Sequence, residues 1–457
     1  MKTDKIMGLA ASLRTPISPK LLDSNTPASI KNIASTIAYD TMSYYKGNLT
    51  SNPSTIAVLP EPYYWWEAGA LWGAMLDYTY YTGDLSYENT ILEALASQAG
   101  PEYNYMNPIH YGSTGNDDQA FWGFAVLAAA ERNLPQPRDD NPSWLQLAEN
   151  LWNSMAPRWD KSHCDGGFTW QIFPDNPHGL TYKNSVSNGG FFQISARLAR
   201  ATGNDTYANW ATKVWDWSKN VGFISPEWKI FDGADIRDNC NRLNKLTFTY
   251  SHGIYMYGAA VMANVTDDPV WVARVSHLID AAEERFFSLH GVMYEQACEP
   301  VNTCNTDMKS FKAYLSRFMW ATSKLLPAFT SQIEKLLTPS AIAAAKTCTG
   351  GERGTICGQK WYVGGNDGKV DLGHQMCALE IIQGLLAKDA EPLKKSNEIK
   401  DVRLGDVRTT SETPTRTSKP SRSTTPSRTA PNAGVSVMVS MVVFTVVVGS
   451  TVLLLGL

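Results

Sequence analysis

The sequence predicts an all-α protein, a closed (α/α)6 barrel of six inner and six outer helices. Segments rich in small and aromatic residues begin near Glu67, Asp117, Asn188, His252, Lys312 and His374, at intervals of 50–71 residues. Each leads into a helix that is apolar on several sides, as buried helices are. Between them lie more amphipathic stretches, over 30–46, 89–99, 143–156, 206–219, 270–287 and 330–346. Alternating strand-like runs are few, and the repeat is too long for the common helical solenoids.

The elements follow in order. The first inner helix opens at Tyr63-Tyr64-Trp65-Trp66-Glu67-Ala68-Gly69 and ends at Thr82-Gly83-Asp84, where glycine stops one helix and Asp can cap the next. The second opens at Gly115-Asn116-Asp117-Asp118-Gln119, directly before Ala120-Phe121-Trp122-Gly123-Phe124. Asn184-Ser185-Val186-Ser187-Asn188-Gly189-Gly190 leads the third, which stops at Thr202-Gly203-Asn204-Asp205. The fourth starts around Tyr250-Ser251-His252-Gly253, runs through Ile254, Tyr257, Gly258 and Val261, and ends at Thr266-Asp267-Asp268. Phe311-Lys312 opens the fifth, and His374 leads the sixth through Met376-Cys377-Ala378-Leu379. In such a toroid the loops entering the inner helices gather at one end and line a cleft. Asp117 and Asp118 sit on one of those loops.

Composition narrows the chemistry. Net charge is -4 with no basic stripe, which speaks against a nucleic-acid partner. The 15 Trp and 20 Tyr exceed what a core needs and suit the stacking of sugar rings. Cys298/Cys304 and Cys348/Cys357 read as small disulfide loops, Cys164 and Cys240 as a candidate third bridge, and Cys377 as a buried free thiol. No Cys-x-x-Cys occurs and the histidines are scattered without ligand spacing, so a zinc site is not expected. Sequons at Asn48, Asn204 and Asn264 fit a secreted glycoprotein.

The ends divide the chain. Residues 1–27 form an N-terminal segment with a short apolar run, Ile6 to Leu13. Either this is a weak signal peptide or the true start is missing, and a missing start is the expected reading. Residues 28–390 are the barrel, and 391–432 a stalk rich in Ser, Thr and Pro. Residues 433–457 end in an uncharged run, expected to direct glycosylphosphatidylinositol attachment near Asn432. A retained membrane helix is the alternative. The expected location is the outer face of the plasma membrane and the cell wall, reached by secretion.

Paired carboxylates beside an apolar run either cap a helix or do chemistry, since charge there is costly unless used or hydrogen-bonded. The motifs at Tyr63–Gly69, Gly115–Gln119, Asn184–Phe192 and Phe311-Lys312 resemble glycoside hydrolase family 76. More narrowly, the chain is similar to the fungal cell-wall mannan endo-1,6-α-mannosidases held by a glycolipid. The resemblance implies the barrel and retaining cleavage of α-1,6-mannan, with Asp117 as nucleophile, Asp118 as acid, then base, and no metal or organic cofactor. One departure is Tyr250-Ser251-His252-Gly253, where many relatives have Tyr-Asn-Gln-Gly.

Other residues are weighed by position. Trp66 is expected to stack on sugar while Trp65 packs. Glu67 is expected to orient an Asp or a hydroxyl, and Asn116 and Gln119 to fix the pair. Asn184, Asn188, Tyr250, His252 and Lys312 are cleft candidates, whereas Trp122 belongs to the core and Arg317 to a salt bridge within the barrel. Asp232 and Asp235 are left unassigned. The expected protein is a monomer acting on α-1,6-mannan or on the mannose-containing glycan of lipid anchors. Two other functions remain open: a transglycosidase joining lipid-anchored mannoproteins to β-glucan, and a non-catalytic mannan-binding wall protein.

Overall fold

The computed structural model describes residues 22–49, 55–175, 177–287 and 290–404. Residues 1–21 of the N-terminal segment, most of the stalk, the apolar tail and Asn432 lie outside the described residues. Helices alternate outside and inside along the chain. The first half comprises α1 (Pro27–Met42) outside, α2 (Trp65–Thr82) inside, α3 (Glu88–Ser97) outside, α4 (Asn116–Glu131) inside and α5 (Trp144–Met155) outside. After the one-turn α6 (Pro177–Leu180) come α7 (Ser185–Thr202) inside, α8 (Asp205–Asn220) outside, α9 (Thr249–Thr266) inside and α10 (Pro269–Phe286) outside. The ring is completed by α11 (Phe311–Leu325) inside, α12 (Thr330–Thr347) outside and α13 (Leu372–Gln383) inside. Each inner helix packs on the next, and α13 closes against α2. The expected (α/α)6 barrel is the observed fold.

The turns work as the sequence indicates. Gly83 and Gly203 end α2 and α7 with φ of 74° and 72°, and Asp267 takes the same left-handed role after α9. Asn204 caps α8 by accepting Thr206 N–H at 2.9 Å, and Asp268 caps α10 by accepting Val270 N–H at 2.9 Å. Helix α1 stops at Met42, short of the expected residue 46.

Three features bear on the site. A small antiparallel sheet, β1 (Tyr182–Asn184), β2 (Gly233–Asp235) and β3 (Leu243–Asn244), spans the loops before α7 and α9. Inside the ring, Arg317 bridges Asp77 at 3.1 Å and Glu380 at 2.6 Å, while Arg197 pairs with Glu131 at 2.8 Å. Disulfides join Cys164–Cys240, Cys298–Cys304 and Cys348–Cys357, and Cys377 is a buried free thiol.

Residues 391–404, read from composition as stalk, instead lie along the barrel. Lys394 N–H donates to Glu131 O at 2.7 Å, Gln136 N–H to Val402 O at 2.7 Å, and Arg403 Nη1 to Asn141 O at 2.8 Å. Backbone pairing overrides the polar composition there, so the folded unit runs past residue 390.

Candidate active site

The loops before the inner helices enclose a cleft of about 540 Å³. Asp117 and Asp118 occupy the first turn of α4. That turn is held by Asn116 N–H donating to Trp170 O at 2.8 Å, and Asp118 N–H donates to Asp117 Oδ1 at 3.0 Å. Asp118 Oδ2 accepts the N–H of Gly115, the residue before α4, and so ties the loop to the first turn. Gly115 is required, because a Cβ there would collide with Asp117 Oδ1 and stand 2.8 Å from Trp170 O. Oxygens of both aspartates come within 3.0 Å of that same point, so they lie within about 6 Å of each other. Both carboxylates border the cleft.

Their electrostatics suit acid–base work. Burial, then the Asp118 charge, pushes Asp117 well above the usual carboxylate range. Burial lifts Asp118 to about 7 against the opposing hydrogen bond from Gly115. So close a pair titrates as a unit, and it retains a proton near neutral pH. A folded pKa raised above the unfolded value of 3.8 means that stability present below about 4 is lost as pH rises through about 7. Asp118→Asn is therefore expected to unfold a few degrees higher than the unmodified chain at pH 7 and at a similar temperature at pH 4. Thermal scans at the two pH values check this.

The remaining candidates separate sharply. Trp66 borders the cleft, packed on Phe121 at 4.6 Å between ring centroids. Trp65 borders it too, contrary to the expectation that only one would; its ring stacks on Trp122 at 5.2 Å and its indole N–H donates to Gln98. Asn184 lines the wall while capping α7, and Tyr250 does so while stacked on Phe311 at 3.8 Å. Trp122 and Arg317 are interior, as expected.

Six expected contacts are directed elsewhere. Glu67 is 2 % exposed and accepts Tyr64 N–H at 2.8 Å, capping α2; burial raises its pKa to about 8. Asn116 and Gln119 lie behind the pair and clamp Arg158, whose Nε donates to Asn116 Oδ1 at 2.8 Å and whose Nη2 donates to Gln119 Oε1. Asn188 is fully buried, accepting Phe168 N–H and donating back to Phe168 O. His252 faces α10, its Nε2 paired with Leu278 O at 2.7 Å, and burial lowers its pKa to about 4. Lys312 is 2 % exposed, bound to Glu299 at 2.8 Å and Gln359 O, and lies over the Trp361 ring. Lys312→Ala is thus expected to cost about 3–5 kcal/mol of stability, as losing one member of a buried pair does. Chemical denaturation checks the cost; a raised KM at unchanged stability would return the amine to the cleft.

Sequence reasoning passed over Asp307 and left Asp232 unassigned, yet both border the cleft. Asp232 Oδ2 accepts the Tyr182 hydroxyl at 2.6 Å and Asn244 Nδ2 at 2.9 Å. Asp307 lies four residues before Phe311, in the loop entering an inner helix, without the adjacent carboxylates that mark Asp117 and Asp118. Among the described residues, no three His, Cys, Asp or Glu side chains are grouped to hold a metal ion.

A helical barrel that holds paired carboxylates among indole and phenol rings is built as a glycosidase. The family model described as glycosyl hydrolase family 76 matches residues 29–397, and the chain belongs to that family. It is 46 % identical over 381 residues to the mannan endo-1,6-alpha-mannosidase DCW1 of Eremothecium gossypii, covering 82 % of each chain. The DCW1 protein of Saccharomyces cerevisiae is 45 % identical over 371 residues, with 80 % of this chain and 81 % of that one covered. The crystal structure of Dfg5 from Chaetomium thermophilum in complex with glucosamine superimposes with a TM-score of 0.79 at 40 % identity, over 82 % of this chain and 94 % of that one. An inactive α-1,6-mannanase variant from Salegentibacter, bound to α-1,6-mannotriose, shares the fold with a TM-score of 0.63 at 19 % identity, over 78 % and 99 % of the two chains.

Proposed function

We propose that this chain cleaves α-1,6-mannosidic bonds inside mannan chains with retention of configuration. Asp117 attacks the anomeric carbon; Asp118 protonates the departing oxygen and then deprotonates the acceptor. The carrying observation is the adjacent pair in the aromatic cleft, with oxygens within about 6 Å of each other. Retaining enzymes use short carboxyl separations of roughly 5 Å, whereas inverting ones leave more room for a water. The curated relatives are named for this activity. The Salegentibacter enzyme supports the pair, since replacing two adjacent aspartates by asparagine gave an inactive protein that holds α-1,6-mannotriose.

A second reading keeps the first half-reaction and changes the acceptor. A sugar hydroxyl intercepting the mannosyl-enzyme would make a transglycosidase that joins lipid-anchored mannoproteins to β-glucan. The glucosamine held by the Chaetomium relative favours it, because that protein accommodates a sugar other than mannose. Incubation with α-1,6-mannan oligosaccharides, with and without β-glucan oligosaccharide, separates the readings by product mass. Shortened mannan alone marks the hydrolase, mannose–glucan conjugates the transferase, and no turnover would leave a mannan-binding wall protein.

Location outside the cell is part of this reading. Three disulfides suit an oxidising compartment, and Asn48, Asn204 and Asn264 are exposed for glycosylation. A glycolipid near Asn432 would tether the barrel at the membrane or wall.

A further inference from the structure

Asp307 stands on a short 3-10 turn, Asp307–Lys309, between the Cys298–Cys304 loop and α11. Its Oδ1 accepts the Trp66 indole N–H at 3.1 Å, and Asn305 Nδ2 approaches Oδ2 at 3.3 Å. Trp66 in turn packs on Phe121, one helical turn beyond Asp117 and Asp118, and on Tyr314 at 5.9 Å between ring centroids. The acid thus reaches the reacting helix through a single ring.

No Lys, Arg or His is among the described residues lining the cleft, while four aspartates are. The cations nearest in sequence are committed elsewhere: Lys309 pairs with Asp371 at 2.9 Å and Lys312 with Glu299 at 2.8 Å. Around Asp307 and the pair stand Tyr64 and Glu67 from α2, Tyr250 from α9, and Tyr182 and Asp232 from the small sheet. These groups are neutral or acidic. The cation close to the pair, the Arg158 guanidinium, lies behind it and is bonded to Asn116 and Gln119. Across the cleft the field of Asp307 therefore meets Asp117 and Asp118 with no lining cation between them, and burial of the carboxylates keeps that field strong.

We propose that Asp307 is a positioning residue of the reaction, fixing the Trp66 ring at the cleft wall and holding the working proton on the Asp117–Asp118 pair by its charge. This rests on the pair being the reacting groups. Burial raises Asp307 itself, and its charge raises both members of the pair. Substrate meets a ring already oriented and a pair already carrying one proton.

The test is the pH profile of kcat/KM on an α-1,6-mannan oligosaccharide, with KM taken at the optimum. Asp307→Asn keeps an acceptor for the indole and removes the charge. Its profile is expected to shift to lower pH by about one unit, the scale of one nearby charge, with KM nearly unchanged. Asp307→Ala removes both features and is expected to show the same shift with KM raised about tenfold, the loss of one good contact. Asp307→Glu keeps the charge and displaces the acceptor, so KM should rise while the profile stays in place. A folded Asp307→Asn variant whose profile superimposes on the unmodified enzyme would overturn the charge role. An unchanged KM in Asp307→Ala would overturn the role at Trp66. Should Asp307→Asn fail to fold, a profile that moves in Asp307→Glu would count against the proposal as well. Activity surviving in Asp117→Asn or Asp118→Asn would instead overturn the assignment of the pair, whatever Asp307 does.

Discussion

Asp117→Asn and Asp118→Asn are each expected to lower turnover of α-1,6-mannan by at least about 10³-fold while leaving the barrel folded. Removal of either carboxyl stops one half of a double displacement, and groups that act as a unit show losses of this size. Neither substitution changes side-chain volume much, and Asn can still accept the backbone N–H that each Asp takes, Asp118 N–H at Asp117 and Gly115 N–H at Asp118. An activated mannoside, whose leaving group needs no acid, separates the roles. With it, Asp118→Ala should accumulate a mannosyl-enzyme that azide discharges, and Asp117→Ala should form none. Mass spectrometry of the intact proteins checks both. Azide rescue in Asp117→Ala with retained configuration would reverse the roles, and near-normal activity in both Asn variants would remove the pair from the chemistry.

Arg317→Ala is expected to produce the largest loss of stability, at least about 3–5 kcal/mol. The guanidinium is buried between Asp77 and Glu380 and also donates to Ala70 O at 3.1 Å. Its removal strands the buried Glu380 carboxylate, while Asp77 keeps Arg132, at the centre of the ring where α2, α11 and α13 meet. Burial already holds Glu380 up at about 8, even with Arg317 opposing the shift. Urea unfolding of the folded unit reads the loss directly. A change below about 1 kcal/mol, the scale of exposed pairs, would show that water or a rearranged partner replaces the guanidinium.

The barrel was legible because buried inner helices and amphipathic outer ones carry different residue patterns over long spans, and the turn residues mark their ends. The small sheet was not, since strands of two or three residues carry no alternating pattern. Asp117 and Asp118 stood out as adjacent charges entering an apolar run. Facing direction was harder to read. Tyr250 and His252 are two residues apart, about 200° around a helix, so the two could not both face the cleft; Tyr250 does and His252 packs toward α10. Asn184 and Asn188 share a face, but Asn188 lies one turn deeper, beneath the loop at Phe168 that its amide secures. Lys312 follows Phe311 by about 100° and turns to Glu299 instead. As the third residue of α2, Glu67 is the partner of Tyr64 N–H rather than the orienting carboxylate that the sequence suggests. Asp307 carries no motif of its own: it is a lone carboxylate in the loop before Phe311, and the pattern marks only the helix start.

The most direct test of the central claim is the anomeric configuration of the first product. Proton NMR during early turnover of an α-1,6-mannan oligosaccharide, before mutarotation, distinguishes the two stereochemical outcomes. Closely set carboxylates predict that the new reducing end appears first as the α-anomer, from cleavage within the chain. First appearance of the β-anomer would mean direct displacement by water and would contradict Asp117 as a nucleophile.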